Sequence, residues 1–243
     1  MPMVFITYTG VTVTGPVRAW MDGWVVSRGA APPMVRSWGW TIDMGSADHV
    51  TRHVLTATND EVEEATVRKV ADAVTGAGVW LKVFAHPETV GPWLGEGWWI
   101  DPEPGYLMSV PLREYAEPLT ESAAPRTYGT YEPPPVPDGY RLRTWSRGGV
   151  TRTMLAAPDG SWAARGQIAP TGATAVVDQI ETSPAHRRRG LGTLVMHTLT
   201  RAAIEQGAET GVLAGTPEGR ALYESLGWTV AAPLTSAKFT GRP

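Results

Sequence analysis

Pro184-Ala185-His186-Arg187-Arg188-Arg189-Gly190-Leu191-Gly192-Thr193 is the stretch on which the fold of this 243-residue chain turns. Upstream, residues 173–182 read as a strand with Val176, Val177 and Ile180 as its apolar members, and Pro184 marks its end. Downstream, Leu194, Val195, Leu199 and Ala202 fall at helical spacing from Leu191, and Gly207 is a natural stop. A glycine-containing turn at a helix start directs several backbone N–H groups outward, and the helix dipole adds partial positive charge, so a pyrophosphate fits there. Three arginines supply further countercharge, and Gly190 and Gly192 let the backbone approach a ligand closely. An arginine run alone is more often a solvated face, and Gly-x-Gly alone is a weak signal. The position between strand and helix is what favours the anion site.

Beyond that helix, residues 211–214 read as a short strand, 217–226 as a helix closed by Gly227, and 228–239 as a hairpin. Before the 173–182 strand, residues 140–145, 151–157 and 162–168 read as a meander, with Pro158-Asp159-Gly160 as a turn. A second motif, Gly219-Arg220-Ala221-Leu222-Tyr223-Glu224-Ser225-Leu226-Gly227-Trp228, lies a helix and a strand after the first.

Together the two motifs resemble those of the GNAT superfamily, the Gcn5-related N-acetyltransferases. Arg187, Gly190 and Gly192 fill the donor signature Arg/Gln-x-x-Gly-x-Gly/Ala, Pro184 fills the place before it, and residues 219–228 resemble the ending Ala-x-x-Leu-Tyr-x-x-x-Gly-Phe. The resemblance covers 173–228 closely and the meander loosely. It implies that backbone groups of Ile180 and Thr182 pair with the pantetheine arm of acetyl-CoA. It likewise implies that Arg187, Arg188, Arg189, Gly190, Leu191, Gly192 and Thr193 hold the pyrophosphate, and that Tyr223 is the general acid for the departing thiolate. Thr216 stands where the family often has a donor-contacting asparagine; a hydroxyl replaces part of that role.

A carboxylate near the splayed end of the long strand is the candidate base. Asp178 and Glu181 both qualify, and on a regular strand, three residues apart, they point to opposite faces. The segment Val177-Asp178-Gln179-Ile180 resembles the corresponding strand of some aminoglycoside 6′-acetyltransferases, with an aspartate in that place, which favours Asp178.

Residues 117–139 are rich in proline, threonine, serine and glycine and end in Glu132-Pro133-Pro134-Pro135-Val136-Pro137-Asp138-Gly139, which reads as a linker. Residues 1–116 then form one unit and 140–243 another. In the first, residues 16–29 read as a helix, 35–44 and 49–58 as strands, and Asn59 as the cap of a helix with an acidic start. Residues 79–85 and 106–112 read as strands, with a short helix over 87–94. Such an order can be a degenerate copy of the second unit without the arginine–glycine loop. The fold class expected is α/β (α+β): two GNAT-like domains, each a mixed, mostly antiparallel sheet flanked by helices.

After residues 140–145 only Ser146-Arg147-Gly148-Gly149-Val150 intervenes, where the family spends two helices on walling the acceptor site, so the N-terminal unit is expected to supply that surface. It also holds eight of the eleven tryptophans, most of them expected in the core. His49, His53 and His86 show no metal-ligand pattern, and no metal is expected.

The net charge of −3 argues against nucleic acid as the partner, and a membrane-spanning run and a signal-like start are both missing, so the cytoplasm is the default. With no cysteine, thiolate nucleophiles and cysteine-ligated zinc are excluded. Lysine only at 69, 82 and 238, amid frequent arginine, alanine, glycine and proline, suggests a high-GC bacterial source. The expected reaction is acetyl transfer from acetyl-CoA to the primary amine of a small molecule, such as an antibiotic or other metabolite, by a monomer or homodimer. Protein N-acetylation and a non-catalytic acyl-CoA-binding regulator are the alternatives.

Overall fold

The computed structural model describes residues 15–112 and 133–241. Helix α1 (Pro16–Arg28) opens on Pro16 and closes on Gly29, whose φ of 60° is the left-handed turn that ends a helix without a Cβ penalty. The run expected as one strand over 35–44 is a hairpin, β1 (Met34–Arg36) and β2 (Gly39–Ser46). Gly39 is what allows it, since its backbone, at φ 149°, lies directly against the carbonyl of Val54 where a Cβ would collide. Then come β3 (His49–Thr58), α2 (Glu64–Asp72), β4 (Val79–Phe84), α3 (Pro87–Val90), β5 (Trp98–Ile100) and β6 (Gly105–Pro111). Asn59 does not cap α2: it sits at φ 54° in a single 3-10 turn, Asn59–Glu61, and its amide donates to the carbonyl of Ala231 at 3.3 Å.

Most of the expected linker, 117–132, lies outside the described residues, and 133–139 carry neither helix nor strand. The remaining elements are β7 (Arg141–Arg147), β8 (Val150–Ala156), β9 (Trp162–Thr171), β10 (Thr174–Thr182), α4 (Leu191–Glu205), β11 (Thr210–Gly215), α5 (Pro217–Ser225) and β12 (Thr229–Phe239). The hairpin expected over 228–239 is one continuous strand. Its partners come from the other half of the chain: Thr229–Leu234 pair with β6, and from Thr235 onward β12 pairs with β4 and β5. Pro233 is accommodated beside an irregularity in the β6 register between Val230 and Ala232.

All twelve strands join one mixed sheet, in the order β1-β2-β3-β4-β12-β6-β11-β10-β9-β8-β7, with β5 against β12. Two pairs are parallel, β3–β4 across α2 and β10–β11 across α4; the others are antiparallel. The succession β2-β3-α2-β4-α3 thus recurs as β9-β10-α4-β11-α5. Between the repeats the strands are exchanged: β6 lies between β11 and β12, while the end of β12 lies beside β4.

Three clusters fill the core. Leu191, Leu194, Val195 and Leu199 of α4 pack with Ile168, Val177 and Leu213, and Val67 and Val70 of α2 pack with Leu55, Leu81 and Val83. The third lies under α1, where Val17, Trp20, Met21 and Trp24 cover Ile42, Val54 and Phe84 of one half together with Val176 and Val212 of the other. Each such side chain contributes about 1.5–3 kcal/mol by leaving water. Helix α1 therefore fastens the two halves together. Trp20, Trp24 and Trp40 are core as expected, whereas Trp99 stands 45% exposed.

Candidate active site

The parallel ladder of β10 with β11 stops at Val177 opposite Leu213. β10 continues to Thr182 with β9 alone, because an extra residue enters after Asp178: Asp178 lies opposite Gln167 and Glu181 opposite Arg165. The bulge is centred on Gln179, held at φ 54°, and Gly166 across from it leaves room for Ile180 to turn toward Val195 and Leu199. The β11-facing backbone edge of residues 178–182 is left without a strand partner, open to a ligand.

This gap is the start of a cleft of about 600 Å³ between β10, the first turn of α4, and α5. Of the residues expected at the donor site, Ile180, Thr182, Arg187, Arg188, Gly190, Leu191, Gly192, Thr193, Thr216 and Tyr223 all line it, as does Glu181. Gly190 caps α4 at φ 73°, where no side chain reaches its first turn and no acid neutralises it. The early N–H groups of α4 therefore face the cleft without partners inside the helix. Arg187 spans the mouth: Nη1 meets Glu218 Oε1 of α5 at 2.7 Å, with both side chains at least half exposed, so the pair is cheap to open.

Arg189 is directed elsewhere. Its Nη1 donates to Tyr140 Oη at 3.0 Å, and that hydroxyl also meets His186 Nδ1 at 3.0 Å, an arrangement that ties the loop to the start of β7. Thr216 is the N-cap of α5, accepting from the N–H of Gly219 at 3.2 Å.

Tyr223 reaches the cleft from α5 with its ring pressed between Gly215 and Gly219; a Cβ on either glycine would lie 2.7 or 2.9 Å from the ring. Burial, and secondarily the charge of Asp178, push its phenol up to about 12, so it keeps its proton at neutral pH.

The bulge changes the parity of the strand, so Asp178 and Glu181 share the face that carries α1 instead of opposing one another. Asp178 receives Ser27 Oγ at 2.7 Å, Arg28 Nε at 2.5 Å, Arg28 Nη2 at 2.8 Å and the N–H of Gln179 at 2.9 Å. Both of its oxygens are thus engaged, and it is not among the residues lining the cleft. Glu181 lines the cleft, half exposed, in an ion pair with Arg165 at 2.9 Å.

Helix α1 covers the face of β9 and β10 on which Asp178 lies. Gly23 packs against Val176, Gln167 Nε2 donates to the carbonyl and hydroxyl of Ser27 at 2.8 and 2.7 Å, and Arg28 grips Asp178. In the N-terminal repeat the equivalent gap is closed, since β3 and β4 pair again at Thr58 opposite Phe84. The turn after β3 carries Asp60, Glu61, Glu63 and Glu64, which repel a pyrophosphate. Sequence reasoning missed Glu218 and the Arg28–Asp178 pair. Glu218 had a signal, an acid directly after a proline at a helix start; a contact 150 residues apart had none.

Among the described residues no group of three or more histidines or acids is placed to hold a metal, and no helix is long and apolar enough to cross a membrane. Residues 116–228 match the model of the acetyltransferase (GNAT) family. A GCN5-related N-acetyltransferase from Kribbella flavida superposes with a TM-score of 0.59 at 17% identity, covering 96% of this chain and 97% of its own. A GNAT-family protein from Novosphingobium aromaticivorans does so at 0.52 and 17%, covering 94% and 97%. At these identities the likeness is one of fold. No curated protein matches the sequence.

Proposed function

We propose, on the premise that residues 116–228 form a domain of the acetyltransferase (GNAT) family, that this protein moves an acetyl group from acetyl-CoA to the primary amine of a small molecule. The observation that carries the reading is the cleft itself. A helix N-terminus without a counter-acid, an open strand edge and a protonated tyrosine all line it, suited respectively to the pyrophosphate, the pantetheine arm and the sulfur of the donor.

In this reading the pyrophosphate takes the N–H groups of Leu191, Gly192 and Thr193 and draws Arg187 away from Glu218, while Arg188 closes over it. Glu181, directly or through one water, accepts a proton from the acceptor ammonium. The free amine forms a bond to the thioester carbonyl carbon, the carbon–sulfur bond breaks, Tyr223 passes its proton to the leaving sulfur, and the proton that the nitrogen sheds on becoming an amide returns to Tyr223. Burial, with the charge of Asp178 second, keeps Tyr223 protonated, and Asp178 holds α1 in place through Arg28. The acceptor enters on the α1 side, so the N-terminal unit forms part of the acceptor's surroundings.

Calorimetric titration with acetyl-CoA, beside Gly190→Asp, tests the donor half of this reading. Saturable binding lost in the variant is expected; a parent chain that binds no acetyl-CoA refutes it. Tyr223→Phe should retain donor binding while thiol release in an amine screen falls by roughly 10²–10⁴-fold, the range of a lost general acid. Equal turnover by the variant removes Tyr223 from the chemistry. Donor binding with no turnover on any amine favours a regulatory acyl-CoA binder.

A further inference from the structure

The face of the N-terminal repeat beneath the end of α1 holds cations that this chemistry does not use. Arg52 of β3 and Lys82 of β4 are each only 9% exposed. The Arg52 guanidinium lies 3.9 Å from the ring centre of Trp24, and its Nε donates to His49 Nε2 at 3.2 Å. Among the described residues its two terminal nitrogens have no hydrogen-bond partner, and neither is sealed from solvent. Lys82 Nζ stands 2.6 Å from Ser236 Oγ and 5.0 Å from the Trp80 ring. Among the described residues, neither cation pairs with a carboxylate.

Two buried groups of one sign with no carboxylate in direct contact, Asp178 and Asp101 acting on them only from further off, are an unfavourable arrangement for folding alone. Burial first, then repulsion from Arg28, lowers Arg52 to about 9 against the opposing pull of Asp178; burial first, then Arg52, holds Lys82 well below the ordinary lysine value, with Asp101 pulling the other way. Arg28, the nearest further cation, is already matched by Asp178. An incoming anion relieves the strain on the other two.

The sheet register puts them on the acceptor's flank of the cleft. Gly215, at the end of β11, lies opposite Tyr106; Tyr106 lies opposite Pro233; and three residues further along β12, Ser236 lies opposite Lys82. Arg52 feels the charge of Asp178, and so does Tyr223. The cations thus adjoin the α1 side of the reacting centre, away from the donor's pyrophosphate end.

We propose that Arg52 and Lys82 receive a carboxylate of the acceptor, between the rings of Trp24 and Trp80, so that the amine acetylated belongs to an amino acid-like molecule. This rests on the acetyltransferase reading for the identity of the ligand, but the anion site is open to direct measurement. N-acetylated amino acids, as product analogues, would be titrated into the full chain beside their neutral carboxamides, following tryptophan fluorescence and thermal shift. The parent, Lys82→Met and Arg52→Met would be compared, with acetyl-CoA calorimetry on the same samples.

Saturable binding of carboxylates, at least tenfold weaker for the carboxamides and in both variants, is the expected result, with acetyl-CoA binding unchanged. Carboxylates and carboxamides that bind alike, a panel in which nothing binds, or variants that bind like the parent overturn it. Failure of acetyl-CoA to bind while carboxylates still do would overturn the donor reading and leave the anion site standing. If Arg52→Met does not fold, Lys82→Met and the carboxylate–carboxamide comparison on the parent still decide.

Discussion

Gly23 sits in the interior of α1, where alanine ordinarily stabilises a helix by about 1 kcal/mol. Here a Cβ would lie 2.7 Å from Val176 Cβ and 3.2 Å from the carbonyl oxygen of Ala169. Neither neighbour yields readily. Val176 is fully buried and β-branched, with one strongly restricted rotamer, and its strand is hydrogen-bonded on both sides at that position. Overpacking a site of this kind costs about 1–3 kcal/mol. The packing penalty exceeds the propensity gain, so Gly23→Ala is expected to lose roughly 1 kcal/mol net, read from the midpoint of urea unfolding followed by tryptophan fluorescence. Val176→Ala removes the nearest obstructing methyl but keeps the Cβ, so in its background the cost of Gly23→Ala should shrink without vanishing, a coupling of about 1 kcal/mol. A Gly23→Ala chain more stable than the parent, or strictly additive substitutions, would refute the docking of α1 on β10 and with it the acceptor wall assigned to that helix.

Stability should also fall with acid through His49. Burial first, then Arg52, lowers its pKa to about 4, against 6.5 when unfolded. Between those values the unfolded chain binds more protons, so this contribution is complete above pH 6.5 and is lost as pH drops toward 4. The ceiling is about 3 kcal/mol at 1.36 kcal/mol per pKa unit, and a half-buried ring should deliver roughly half of it. His49→Gln should flatten the dependence, leaving the same-signed part from His53, whose pKa is also lowered by burial; an unchanged slope in urea titrations at pH 4.5–7 contradicts the assignment. Thr216→Ala should lower stability by about 1 kcal/mol through loss of the α5 cap, while Thr216→Asn keeps it; equal stability of all three chains would show that the cap bond carries no weight.

The cleft proposed for the donor was legible because its residues are local in the chain. Pro184 through Thr193 is a single loop running into a helix, so spacing alone places the arginines, the glycines and the helix N-terminus together. The Tyr223 motif likewise lies within one helix and its cap. What sequence did not disclose depends on partners far along the chain. Arg189 looks like its neighbours until Tyr140 is brought beside it. The parity argument about Asp178 and Glu181 assumed a regular strand, and one residue in the left-handed region, Gln179, reverses it. Residues 228–239 show a proline and small residues that suggest a turn, yet they form a continuous strand because β4, β5 and β6 offer edges on which each half can pair. Arg52 and Lys82 show no period or motif; their interest arises only when burial is seen with no carboxylate in direct contact.

The exchange of strands bears on how the two repeats came to divide the work. β6 of the first repeat completes the sheet of the second between β11 and β12, and β12 completes the first beside β4. Removing the N-terminal unit would strip β11 of its neighbour, expose the inner face under α1, and leave the last part of β12 unpaired, so its loss of activity would report unfolding as much as lost recognition. Point changes on the α1 face separate the two effects. In the second repeat the strand pair opens at Gln179 and the loop beyond it is basic; in the first the pair closes again at Thr58 and Phe84, and the loop is acidic. An opened pair exposes unpaired backbone and is favourable only where a ligand uses it. The repeat whose pair closes carries charge on its sheet face instead, where Arg52 and Lys82 are buried, with the Arg52 guanidinium against Trp24 of α1.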